Sequence, residues 1–132
     1  MFDILGTSGS GLRTYRTWLD AISDNIANVN TAKRTSESAF QTRYVQAEAI
    51  EDGEVGHGVR VAGIVKGSAE GRMVHEPSNP LADANGYVRY PDVDLGEQMS
   101  HLLLAQRGYQ ANIAVVERAQ QAYQSALTIG QK

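Results

Sequence analysis

The sequence contains no cysteine, which excludes disulfide bonds and metal sites with thiolate ligands. This absence does not indicate a compartment, because a chain without thiols is indifferent to the surrounding redox potential. No run of about 18 apolar residues is present, so we expect no transmembrane helix. The N-terminus, MFDILGTSGSGLRTYRTW, lacks a basic leader followed by an uninterrupted apolar stretch, and we therefore expect no cleaved signal peptide.

Positive charge is also scarce. The chain has 12 basic and 15 acidic residues, which gives a net charge of -3. No basic stripe is visible along the sequence, so the charge pattern does not favour binding to nucleic acid. The length of 132 residues and the hydrophobic content of 42% fit a single domain with a modest core.

Apolar residues in the N-terminal segment recur with alternating spacings of three and four, which is typical of a helix that packs against another helix. We predict a helix from about Gly11 to Val29. Its start is expected to be loose, because each glycine before Leu12 costs about 1 kcal/mol relative to Ala in a helix. The predicted seam residues are Leu5, Leu12, Tyr15, Leu19, Ile22, Ile26 and Val29.

The C-terminal segment has the same periodicity. Asp94, followed three residues later by Glu97, has the form of a capping box and predicts a helix start at Leu95. A helix from there to about Ile129 would be roughly 50 Å long at 1.5 Å per residue. Its predicted seam residues are Leu95, Met99, Leu102, Tyr109, Ile113, Val116, Tyr123 and Leu127, with Gln106 and Gln120 at the same positions of the repeat.

The predicted C-terminal helix is apolar on more than one side. Charged residues are sparse on it, and its polar positions are mostly Gln and Ser. One partner helix cannot cover all of these faces, so we expect the helix to lie among other chains and to order mainly on assembly. The apolar residues outside the seam are Leu103, Leu104, Val115 and Ile129.

The middle of the chain has a different character. The stretch AFQTRYVQAEAI and the valines that follow it favour two or three short strands, and all three prolines lie in a turn-rich return towards Asp94. The predicted fold class is therefore mainly α, with antiparallel N- and C-terminal coiled-coil helices and a loop-rich middle that contains a few short β-strands. The predicted division is residues 1–30, 31–94 and 95–132.

No pattern in the sequence indicates catalysis. The glycine-rich stretch GTSGSGLRT lacks the Gly-Lys-Ser/Thr ending of a phosphate-binding loop. His57, His75 and His101 are scattered, and the spacing of Asp83, Asp92 and Asp94 is that of turns and a helix cap and not of a calcium loop. We therefore expect no enzyme activity, no cofactor and no metal site.

Three asparagines at the end of the first predicted helix, in the stretch SDNIANVNTAKRT, identify a family resemblance. This stretch resembles the N-terminal signature of the bacterial flagellar rod and hook proteins, and LLLAQRGYQANIAVVERAQQAYQSALTIG resembles their C-terminal helix. The short length and the segment NPLADANGYVRYPDVDLGEQM are similar to those of proximal-rod members. The residues that match the family motifs are Asn25, Ala27, Asn28, Asn30, Thr31, Arg107 and Asn112.

The resemblance implies a structural subunit of the proximal rod that polymerises through its terminal helices and helps to transmit torque from motor to hook. It also implies export through the flagellar type III apparatus without a cleaved signal, and a place in the periplasmic space. The implied partners are copies of the chain itself, other rod subunits, the export-gate and base-ring adaptor protein, and the MS-ring protein. On this reading the asparagines bond to neighbouring backbones at a crowded subunit contact.

Two alternatives remain open at the level of the sequence. The first alternative to a proximal-rod subunit is another subunit of the rod family. The second is a soluble helical-hairpin adaptor that binds partner helices in a discrete complex. A small hydrolase using His57 or His75 is a third hypothesis, and no residue pattern favours it.

Overall fold

The computed structural model describes residues 2 to 131, and it contains two long helices and two antiparallel sheets. The outermost residues of the predicted segments, Met1 and Lys132, lie outside the described residues. The elements in chain order are α1 (Phe2–Ala27), β1 (Arg43–Asp52), β2 (Val55–Lys66), β3 (Arg72–His75), β4 (Tyr87–Tyr90) and α2 (Leu95–Gly130).

The two helices pack side by side and run antiparallel. Asn25, near the end of α1, bonds to Gln98, near the start of α2. Further along, the Trp18 ring lies 5.7 Å from the His101 ring, measured between centroids. The helix α2 begins at the predicted residue, and the Asp94 carboxylate caps it by accepting a hydrogen bond from the Glu97 amide at 3.0 Å.

The first helix begins at Phe2, about nine residues before the predicted start at Gly11. Three small residues near its beginning, Ser8, Ser10 and Gly11, are buried. Tertiary packing against the rest of the chain therefore outweighs the intrinsic cost of the glycines, which is only about 1 kcal/mol each.

The predicted fold class, mainly α with a few short strands, is wrong. The protein is 47% helical and about 24% strand, in two antiparallel sheets. The strands β1 and β2 are 10 and 12 residues long and form one continuous hairpin. The prediction failed because the glycines of this stretch indicate breaks in a strand, whereas here they lie within the hairpin.

The glycines of the hairpin have two clear roles. Gly53 begins the two-residue turn between Asp52 and Val55 with a φ of +70°, which a glycine adopts without strain. Gly58, with a φ of +123°, lies at a register shift and faces Ser10 so closely that a side chain would overlap the serine hydroxyl.

The hairpin is attached to α1 through Ser10. The Ser10 hydroxyl accepts a hydrogen bond from the Val59 amide at 3.0 Å and donates one to the Thr7 carbonyl at 2.6 Å. Ser10 is only 4% exposed, so both bonds are largely shielded from water. Every residue at the far end of the hairpin, from Ile50 to His57, is exposed.

The strands β3 and β4 form a second, smaller antiparallel sheet, which lies between the hairpin and α2 in the sequence. Lys33 and Arg89 form an isolated bridge beside it, and Val88 is completely buried. The Thr42 hydroxyl donates a hydrogen bond to the Asp92 carbonyl at 2.8 Å, which ties the start of the hairpin to the segment that leads into α2.

The turn between β3 and β4 depends on the ionised form of Asp83. Its carboxylate accepts hydrogen bonds from the Tyr87 amide (2.9 Å), the Asn85 amide (2.9 Å) and the Thr35 hydroxyl (3.1 Å). These bonds, that from Tyr87 above all, hold the pKa of Asp83 below its usual value of 3.8. Because the folded pKa is depressed, the stabilisation is complete above the unfolded pKa and is lost as the pH falls through the folded one.

We therefore expect amide exchange at residues 85–87 to accelerate as the pH falls below about 4, relative to the intrinsic acid dependence of exchange. Asp83→Asn keeps a carbonyl oxygen for the two amides but removes the titration, so it should flatten this response. The measurement is hydrogen exchange of the full chain across a pH series, with Glu54→Gln in the exposed hairpin turn as the control. The same pH response in Asp83→Asn would contradict the assignment.

Candidate assembly surface

The contact between α1 and α2 uses a stripe on α2 that alternates in steps of four and three residues. The predicted seam shares Leu102, Tyr109 and Val116 with it. At three further places the residue just before the predicted one is the more buried, namely Gln98, Ala105 and Ala119 in place of Met99, Gln106 and Gln120. Small or polar side chains therefore alternate with large apolar ones on the side that faces α1. The stripe consists of Gln98, Leu102, Ala105, Tyr109, Asn112, Val116 and Ala119, all buried or half-buried.

An amide bridge closes one end of this contact. The Asn25 side chain accepts a hydrogen bond from the Arg43 amide at 2.8 Å and donates to the Arg43 carbonyl and to the Gln98 side chain, each at 2.9 Å. Asn25 and Gln98 are each 1% exposed. One side chain therefore joins α1, β1 and α2, and because it is buried its bonds are costly to break.

Glycine allows close packing along the middle of the contact. A side chain at Gly108 would overlap the ring of Tyr15, and one at Gly11 would come within 2.9 Å of the Asn112 side-chain oxygen. Asn112 in turn donates a hydrogen bond to the Gly108 carbonyl at 2.9 Å. The two helices thus interlock at two opposed glycine positions, and α2 stays continuous through Gly108.

The motif asparagines differ in their surroundings. Asn28 follows the end of α1, where its amide group donates to the Asp24 carbonyl at 2.8 Å and its oxygen accepts from Thr31 at 3.1 Å. Asn25 and Asn28 thus bond within the chain. Of the other motif residues, Thr31 and Asn112 are half-buried and Ala27, Asn30 and Arg107 are exposed.

The predicted seam residues have three levels of exposure, and their role in contacts between subunits stays a prediction. Only Ile22 is fully buried. Leu95, Met99, Tyr123 and Leu127 are exposed. The half-buried members are Leu5, Leu12, Tyr15, Leu19, Ile26, Val29, Leu102, Tyr109, Ile113 and Val116.

A second stripe on α2, which we call the outer stripe, lies roughly 100° around the helix from the stripe that packs on α1. It consists of Leu104, Ala111, Val115, Ala122 and Ile129, spaced by seven, four, seven and seven residues, so all five lie on one side of the helix. All five are exposed, with Leu104 57% and Ile129 75% accessible. An apolar helix face of this length is characteristic of a packing surface.

The last turns of α2 extend beyond the start of α1. Gly11 lies beside Asn112, and the antiparallel register places the first residue of α1 opposite about residue 121. We call residues 120–130 the α2 extension. Every residue in it is exposed, and none carries a charge.

A cleft of about 330 Å³ lies between α1 and the hairpin. It is open at one side, and no charged residue lines it. Its lining residues are Thr14, Tyr15, Trp18, Val45, Ala47 and Val59.

Residues 2 to 131 contain neither a metal-binding cluster nor a membrane-spanning helix. In this part of the chain, no group of three or more His, Cys, Asp or Glu side chains is placed to bind a metal ion. Neither helix, as far as it is described, has the length and apolar character needed to span a bilayer.

Both terminal helices match models of flagellar rod proteins. Residues 5–32 match the family "Flagella basal body rod protein". Residues 84–129 match the family "Flagellar basal body rod FlgEFG protein C-terminal". The paired terminal helices therefore define the class of the protein, which is that of the flagellar rod proteins.

Curated relatives match along nearly the whole chain. The chain is 35% identical to the flagellar basal-body rod protein FlgC of Salmonella typhimurium, over 99% of this chain and 98% of the relative. It is 31% identical to FlgC of Borreliella burgdorferi and 27% identical to FlgC of Bacillus subtilis, over 98% of this chain and 97% of each relative. The chain belongs to the FlgC family of flagellar basal-body rod proteins.

This membership confirms three predictions. The chain is a structural subunit of the flagellar rod, it serves motility, and it is not an enzyme. It is located in the basal body and associates there with other rod components. The sequence patterns did not reveal the role of Gln98, because an amide 73 residues away from Asn25 leaves no local signal of their contact.

Proposed function

We propose that this chain forms part of the proximal rod by polymerising through its terminal helices, and that the polymer acts as a drive shaft between motor and hook. The outer stripe carries this proposal, because it is an exposed apolar face on a helix that already packs against α1 along another side. Burial of such a face against another subunit gains about 25 cal/mol for each Å² of apolar surface.

Each of the three predicted segments has its own place in the proposed polymer. Residues 1–30 and 95–132 form the polymer core, and residues 31–94 form an outer part, which holds both sheets. The fifteen predicted seam residues serve contacts within a subunit and contacts between subunits. The buried and half-buried members hold α1 against α2. The exposed members, such as Met99 and Leu127, contact other subunits.

The remaining proposals concern the surroundings of the rod. The chain is exported by the flagellar type III apparatus without a cleaved signal and assembles in the periplasmic space. Its neighbours there are copies of itself, other rod subunits, the export-gate and base-ring adaptor protein, and the MS-ring protein. Family resemblance supports each of these steps, and the neutral polar surface of α2 suits a helix surrounded by protein.

A deletion strain tests the proposal. Loss of the gene should leave base rings but remove rods and hooks, and the wild-type gene should restore both. A Val115→Glu copy should fail to restore them, because it places a charge on the outer stripe, where Val115 is 44% exposed and little packing within the chain is lost. The measurement is swimming in soft agar together with electron microscopy of purified basal bodies.

Gln110→Glu is the matched control, since it places the same side chain at an exposed position on another side of the same helix, outside the α2 extension. It should swim like the wild type. Equal swimming by both variants would contradict assembly through the outer stripe. Complete rods in the deletion strain would favour the soluble adaptor instead.

A further inference from the structure

The cleft between α1 and the hairpin has the properties of a receptor for apolar side chains. Its volume of about 330 Å³ is at the lower end of the range of about 300–1,000 Å³ for ligand pockets, which suits one or two large side chains. Tyr15 belongs both to this cleft and to the contact with Gly108 on α2. A helix bound in the cleft would therefore contact Tyr15 of α1, which also packs against α2.

The α2 extension has the properties of a matching insert. Tyr123 and Leu127 are four residues apart on one side of the helix, and they are 47% and 49% exposed. They continue the same side of α2 that packs on α1 between Gln98 and Ala119. The extension thus presents a helix-packing face with no helix of its own chain opposite it.

The extension of a chain cannot occupy the cleft of the same chain. It begins opposite the first residue of α1 and points away from the helix pair, whereas the cleft starts at Thr14. Twelve residues of helix separate these two levels, which is about 18 Å at 1.5 Å per residue. The partner that fills the cleft must therefore be another molecule.

We propose that the α2 extension of one copy of this chain docks into the cleft between α1 and the hairpin of the next copy, with Tyr123 and Leu127 as the anchoring side chains. Both surfaces are uncharged in a protein in which 20% of the residues are charged. Neither surface therefore leaves a charge buried without a partner. This inference rests on the proposed function and names a specific contact within it.

The two halves of this contact lie at different places on the molecule, so the contact is head-to-tail. A contact of this kind does not close in a dimer, and its repetition produces a ring where the rotation closes or an open helical filament where it does not. Anchors four residues apart on one helix face, held in an apolar groove, are a common mode of helix recognition.

Disulfide trapping tests the contact, since the chain has no cysteine of its own. Ala47→Cys in the cleft and Leu127→Cys in the extension are combined in one chain, both at exposed positions. The chain is produced beside the wild-type chain, so that rods form in every strain. Gln46→Cys with Leu127→Cys is the control, because Gln46 is exposed on the opposite face of the same strand.

Oxidised basal bodies should contain a crosslinked dimer of the chain with the Ala47 pair, at least fivefold above the Gln46 pair. As a second measurement, Leu127→Glu should reduce incorporation into rods at least fivefold, whereas Gln110→Glu, at an exposed position of α2 outside the extension, should not. Equal crosslinking of the two pairs, no crosslinking, a crosslink to a different rod protein, or normal incorporation of Leu127→Glu would each overturn the proposal. These outcomes would leave assembly through the outer stripe intact, because Val115→Glu tests that separately.

Discussion

A strain that carries Asn25→Asp should form few rods and swim poorly. The substitution keeps the size of the side chain but replaces a donor with an acceptor. The new oxygen would face the Arg43 carbonyl and the Gln98 side-chain oxygen, both of which now accept hydrogen bonds from Asn25 at 2.9 Å. Each buried polar group left without a partner costs about 1–3 kcal/mol, against a typical total stability of about 5–15 kcal/mol.

Ionisation of the new carboxyl group adds to this cost, because residue 25 is 1% exposed. The measurement is the number of hook–basal bodies per cell by electron microscopy, together with the diameter of the swimming zone in soft agar. The matched control is Gln46→Glu, which also replaces an amide by a carboxylate, at an exposed position in β1. Swimming at the wild-type rate by the Asn25 variant would show that the bridge between α1, β1 and α2 is dispensable.

Gly108→Leu should separate the two helices. A side chain at this position overlaps the ring of Tyr15, which is itself stacked on Trp18 with 6.1 Å between ring centroids. Leucine is a better helix former than glycine by roughly 0.8 kcal/mol or more, so any loss must come from steric overlap. Overpacking a well-filled contact costs about 1–3 kcal/mol, and more where the backbone cannot move.

The readout is trapping of the helix pair by a second engineered disulfide, between Gly11→Cys and Asn112→Cys, in chains with and without Gly108→Leu. The crosslink should form in the parent and fall at least fivefold in the variant. Gly6→Leu is the control, because the space around Gly6 is open for 4 Å. Partial recovery in the combination of Gly108→Leu with Tyr15→Ala would show that the ring causes the defect. An unchanged crosslink in Gly108→Leu would contradict close packing at this position.

The substitutions at Asn25 and Gly108 act at different places along the helix pair. The Asn25 bridge lies at the end of the helix pair where α2 begins, and Gly108 lies near the middle. Failure of only one variant would therefore show which part of the pair limits assembly. The outer stripe and the cleft are tested by other substitutions, so loss of pairing within a subunit can be distinguished from loss of contact between subunits.

The sequence by itself determined that both ends of the chain are helical, and where the second helix begins. The alternation of three and four residues predicted two helices at the ends of the chain, and the Asp94 cap set the first residue of α2 correctly. Capping and periodicity are local, because they depend on residues within one or two turns of each other. For the same reason the exposed apolar residues Leu104, Val115 and Ile129 could be assigned outside the seam before their exposure was known.

The tertiary structure alone decided which residues of α2 face α1. A heptad of large apolar residues does not show which of the small residues beside them allow another helix to approach most closely. Ala105 and Gly108 allow α1 to approach, whereas Met99 would hold it away and is 50% exposed instead. The close approach lowers the free energy through packing along the whole contact, which no single position reveals.

The long hairpin was likewise decided by contacts distant in sequence. Its glycines weaken the local preference for a strand, but pairing of β1 with β2 and the bond from Val59 to Ser10 hold them in place. Asn25 and Gln98 illustrate the same limit, since each is an ordinary amide in the sequence until the fold buries both and brings their side chains within hydrogen-bond distance. Local pattern therefore predicts helices and caps, whereas burial and pairing across the chain decide the sheet and the seam.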